Sequence, residues 1–183
     1  MVDKREAIVR GRGPCHLSRL GLRFLLLVIA LDVSACASAP EVRPSLEPLL
    51  LDLVLSDGTA FSTDALLGKP VLLFFFTTYD SASQYAFIAL SALAQEQESR
   101  LQVVGVALQP EAEMLLPMYA ETLSLPLPLA YEPKGTLLAG ESALGELGGI
   151  PQYVLLSADG HVLRRQQGVM EQAALSEFVD GGE

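Results

Sequence analysis

The stretch VLLFFFTTYDSASQYAF, residues 71–87, decides the fold. Its uninterrupted apolar run, Val71 to Phe76, fits a central β-strand covered on both faces. A polar corner, Thr77 to Asp80, then leads into a helix that begins near Ser81 and continues to residue 98. In that helix Gln84, Ser91, Gln95 and Glu98 form a polar stripe interrupted by Ile88. The rest is Ala, Leu, Phe and Tyr, which predicts a mostly buried helix.

Outward from this unit, strands and helices alternate. Upstream, LLLDLVLSDGTAF (49–61) reads as two short strands around an Asp57-Gly58 turn, and TDALLGKP (63–70) as one helical turn closed by Gly68 and Pro70. Downstream, 101–108 is a second interior strand, and 111–123 is a helix carrying Pro117. Residues 125–132 contain a short strand, and 135–147 read as a weak helix broken by glycines. A hairpin over 151–168 and a helix over 170–180 close the chain. This order argues for an α/β domain with a mixed sheet.

The N-terminus sets the expected compartment. Lys4, Arg5, Arg10, Arg12, Arg19 and Arg23 precede the apolar run FLLLVIALDVSAC (24–36), which is too short for a spanning helix. A basic region, a short apolar core and small residues make a secretion signal. Val33-Ser34-Ala35-Cys36 resembles a bacterial lipobox, which implies acylation of Cys36. The expected organisation is a signal peptide over 1–35, a lipidated Cys36 with a Pro-rich tether over 36–47, and one domain over 48–183. Lipid on Cys36 would hold the domain to a membrane of the cell envelope, facing the periplasm or the outer membrane.

Charge and cysteine usage narrow the chemistry. Beyond Cys36, six Lys and Arg face nineteen Asp and Glu, a balance that repels nucleic acid. The only cysteines are Cys15, in the leader, and Cys36, so the domain has no thiol in a compartment that permits disulfides. Its one histidine, His161, follows an Asp-Gly turn and reads as a solvated hairpin residue. Without thiols and with a single imidazole, no usual zinc or copper site is expected, and no cofactor. Met114, Met118 and Met170 offer soft thioethers, but Met114 and Met118 lie four apart on a helix, where core filling is the expected role.

The element order, with DGTAFSTDALLGKPVLLFFFTT (57–78) and GGIPQYVLLSADGHVLRRQQG (148–168), resembles the thioredoxin-like proteins of the bacterial envelope, the TlpA-type or redoxin group. The resemblance covers residues 48–181. It implies a thioredoxin-like fold: a central mixed sheet flanked by helices, an N-terminal strand extension, and an inserted helix and strand before a cis-proline loop. Gly149-Ile150-Pro151 looks like that loop, and the family's Trp-Cys-x-x-Cys falls on Tyr79-Asp80-Ser81-Ala82-Ser83. Both cysteines are therefore absent. Dithiol exchange needs a thiolate nucleophile and a resolving thiol, and peroxidase chemistry needs at least the first.

A degenerate corner with no catalytic residue is the resulting expectation. Asp80 sits where a helix needs an N-cap, and its carboxylate suits the positive end of the helix dipole. The alternative at this corner is a small polar pocket of Thr78, Tyr79 and Asp80 against Ile150-Pro151 that binds a peptide or small anion. Three functions follow: a lipid-anchored, redox-inactive thioredoxin-like domain that binds another envelope protein or peptide; an enzyme with a non-thiol activity using Asp80 as acid or base; or a degenerate relative of the Sco-type copper chaperones, whose GKPVLLFF opening is similar.

Overall fold

The structure, a computed structural model, describes residues 47–181; the leader, Cys36 and most of the tether lie outside them. Seven strands form one mixed sheet: β1 (Asp52–Leu55), β2 (Ala60–Ser62), β3 (Val71–Phe76), β4 (Gln102–Ala107), β5 (Leu129–Tyr131), β6 (Gln152–Leu156) and β7 (Val162–Gln167). Their spatial order is β2-β1-β5-β4-β3-β6-β7. Among the described residues three helices accompany them, α1 (Ser81–Glu96), α2 (Ala112–Leu123) and α3 (Gln172–Asp180), with a 3₁₀ turn at Thr63–Leu66.

The apolar run of β3 explains its central place. It pairs parallel with β4, from Val71 opposite Gln102 to Phe76 opposite Ala107, and antiparallel with β6, with Phe75 opposite Gln152. All six β3 side chains are buried, and they alternate between two cores. Leu72, Phe74 and Phe76 join Phe87, Leu90, Leu116, Tyr153 and Leu175 beneath the three helices. Val71, Leu73 and Phe75 join Leu49, Leu51, Val104, Leu137 and Leu144 on the opposite face. In β4, Gly105 leaves the space that Leu129 fills, because a Cβ there would lie 2.6 Å from Leu129 Cδ2.

Three details differ from the sequence reading. Residues 135–147 form turns, not a weak helix. Gly135, Gly140 and Gly145 each take a positive φ of 72°, 72° and 64°, conformations a right-handed helix cannot contain. The Glu132 carboxylate accepts the amides of Lys134 (3.1 Å) and Leu137 (3.2 Å), starting the loop as a turn. Leu137 and Leu144 then anchor it to the sheet, each burial contributing about 1.5–3 kcal/mol.

The helix after the corner is half exposed rather than mostly buried. Its inward face is Ser83, Ala86, Phe87, Ala89, Leu90 and Leu93. Tyr85 and Ile88 stand 59% and 69% exposed. Met114 and Met118 are also not core filling: they are 72% and 74% exposed on α2, while Ala112 and Leu116 supply its buried contacts. The inward-facing positions of that helix are already occupied by those two residues, four positions apart on one face. Met170, ahead of α3, is buried.

Candidate functional site

The corner forms where β3 ends. Thr77 is buried, Thr78 and Tyr79 turn the chain, and Asp80 starts α1 with an extended backbone, φ −93° and ψ 121°. That is the conformation of an N-cap residue, and the side chain completes the role. Asp80 Oδ1 accepts the Ala82 amide at 3.2 Å, and Oδ2 accepts the Ser83 amide at 2.8 Å. Oδ2 also accepts the Ser83 hydroxyl at 2.7 Å. The Ser83 hydroxyl, followed by the Ser83 and Ala82 amides, holds the Asp80 carboxyl below its ordinary range against an opposing effect of burial.

Ser83 is wholly buried whereas Asp80 is half-buried, so position 80 meets solvent and position 83 the protein interior. Tyr79 is 74% exposed. Ser81 is exposed and Ala82 half-buried on the first turn of α1.

Two further loops meet the corner. The Ile150–Pro151 peptide bond is cis, and β6 begins immediately after it with Gln152 opposite Phe75. The register therefore brings the loop of Gly149, Ile150 and Pro151 beside the end of β3. Pro151 carbonyl accepts the Gly168 amide at 2.8 Å, which ties the segment after β7 to the same place. At the end of β4, Gln109 Oε1 accepts the Thr78 amide at 2.6 Å, and the Leu108 amide bonds Phe76 carbonyl at 2.7 Å.

Aromatic packing supports the corner from below. Phe76 meets Phe87 of α1 edge-on at 4.9 Å and stacks on Tyr119 of α2 at 5.8 Å. Burial, and secondarily the Asp80 charge, pushes the Tyr119 hydroxyl above its ordinary range.

A groove of about 570 Å³ opens on this corner, lined by Tyr79, Asp80, Leu108, Leu138, Glu146 and Ile150 among others. The structure thus brings Tyr79 and Asp80 together with Ile150, while Thr78 is held back through its amide by Gln109. The sequence reading missed Gln109, Tyr119 and Glu146. A polar Gln109 at the end of an apolar strand was the one available signal; Tyr119 and Glu146 carry none. His161 sits at the far hairpin, half-buried, with Nε2 3.6 Å from Asp159. Cys36, proposed for lipid, is outside the described residues.

No protein-family model matches the sequence, and neither does any curated protein. Solved structures do match. The thioredoxin-family thiol:disulfide interchange protein of Chlorobium tepidum superposes with a TM-score of 0.64 at 23% identity, over 78% of this chain and 98% of that one. The fold is thioredoxin-like. The pneumococcal exposed lipoprotein thioredoxin Etrx1 from Streptococcus pneumoniae strain TIGR4 gives 0.63 at 20% identity, over 72% and 98%. StoA from Bacillus subtilis gives 0.60 at 18% identity, over 73% and 98%. In this chain's version of the thioredoxin-like fold, the start of α1 holds the Asp80 carboxylate and the Ser81 and Ser83 hydroxyls, and no thiol.

Proposed function

We propose that this protein is a lipid-anchored docking module of the bacterial cell envelope, a thioredoxin-like domain that binds another envelope protein or peptide at its corner without thiol chemistry. The observation that carries the reading is the pairing of Asp80 and Ser83 at the start of α1. The carboxylate accepts two amides and one hydroxyl, so the positions that would have to exchange disulfides are engaged in capping. Around this inert cap the surface remains built for contact. Tyr79 projects from it, and the groove beside it is walled by Leu108, Leu138 and Ile150. Exposed aromatic and aliphatic groups around a concavity favour protein contact.

Acid or base work by Asp80 is disfavoured by the same hydrogen bonds. They stabilise the ionised form and hold its pKa low, which makes it a weak base and a poor acid near neutrality. Envelope placement is supported by the basic and apolar leader ending in Val33-Ser34-Ala35-Cys36, and by the fold likeness to an exposed lipoprotein thioredoxin.

Site-specific photocrosslinking in cells tests this reading. A benzophenone side chain replacing Tyr79 should capture an envelope protein, and the same group replacing Ser99, at the end of the sheet where β4 begins, should not. Equal capture from both positions would overturn the docking site. Cys36→Ser should release the chain from membranes or leave an unprocessed precursor, and unchanged fractionation and migration would remove the lipid anchor.

A further inference from the structure

We infer that the corner groove and a second groove beside it form one acidic track for an extended, lysine- or arginine-bearing segment of the partner protein. This rests on the reading of the corner as a docking site and adds the chemistry of what docks there. The second groove, of about 220 Å³, is lined by Gln109, Glu111, Glu113, Tyr131 and Glu132 among others. It shares Leu108, Leu137 and Leu138 with the corner groove, so the two adjoin at a common apolar wall.

Five carboxylates line this track, those of Asp80 and Glu146 in one groove and Glu111, Glu113 and Glu132 in the other. No Lys, Arg or His lines either groove. Of the two nearby cations, Lys134 Nζ meets Asp52 at 2.8 Å while its charge also acts on Glu132, and Arg165 Nη1 donates to Leu144 carbonyl at 2.7 Å. Among the described residues, no ion pair engages Glu111, Glu113 or Glu146.

The carboxylates are strung along the track rather than gathered. Among the described residues no three His, Cys, Asp or Glu converge as a metal ion requires. Cations spaced along a chain match that distribution, with apolar residues between them against Leu108 and Leu138. Rim charges of this kind are individually weak and act mainly on selectivity and association rate.

Fluorescence anisotropy on the full chain in a nonionic detergent tests the assignment with three labelled hexapeptides. One alternates Leu and Val with Lys and Arg, one replaces the cations by Ser and Gln, and one by Glu. The basic peptide should bind about tenfold more tightly than the neutral one, and this preference should shrink as salt rises from tens to hundreds of millimolar. Glu146→Lys and Glu113→Lys, one in each groove, should each weaken it about threefold or more, and Glu98→Lys, outside both, should not. Equal binding of all three peptides that is lost with Tyr79→Ser would overturn the charge assignment and leave corner docking standing. No binding by any of the three would overturn both.

Discussion

At position 80 a carboxylate answers two backbone amides and a hydroxyl, so its replacement reads the cap directly. Asp80→Ala is expected to cost about 1 kcal/mol of folding stability in urea unfolding. Asp80→Asn, which can still cap, should lose only the charge–dipole part, about 0.3–1 kcal/mol. Acidity gives an independent check. The folded-state pKa of Asp80 is depressed, so its charge stabilises the fold above the unfolded value of about 3.9 and stops doing so as pH falls through the lower folded value. The stability gap between wild type and Asp80→Asn should therefore be flat from pH 7 to 5 and close below about pH 4. A gap that widens on acidification would show that the carboxylate is held protonated, contrary to its hydrogen bonds.

Elements were legible where one pattern dominated. Val71 to Phe76 declared a doubly covered strand because nothing polar interrupts it, and both faces are indeed packed. Asp57-Gly58 and Asp159-Gly160 marked turns because their glycines supply a φ of 85°. Residues 135–147 misled because Leu137, Leu138 and Leu144 mimic helical spacing, while three glycines and the Glu132 carboxylate enforce turns instead. On α2 the period was right and the inward phase was not. Leu116 points into the core and Met118 into solvent. Leu116→Ala should accordingly cost about 2–5 kcal/mol. Met118→Ala should stay within about 0.5 kcal/mol. Unfolding midpoints for the two variants check this, and a large loss in Met118→Ala would restore the core-filling role.

Across the whole molecule, the corner residues 79–83 could be found in sequence because they are contiguous. The groove could not. Its walls come from the ends of β3 and β4, the turns at 137–147 and the cis-proline loop, and only the sheet register brings them together. The sequence resemblance implies that the family's Cys pair would fall on positions 80 and 83, which here carry two non-thiol side chains. Ser83 is buried and Asp80 reaches solvent, an asymmetry that would suit a resolving and an attacking thiol. The most direct test is insulin reduction by dithiothreitol in a Cys15→Ser/Cys36→Ser background. The chain with Asp80 and Ser83 in place should leave the rate of dithiothreitol alone unchanged, and adding Asp80→Cys/Ser83→Cys should accelerate it. Acceleration by the chain that still carries Asp80 and Ser83 would contradict the account.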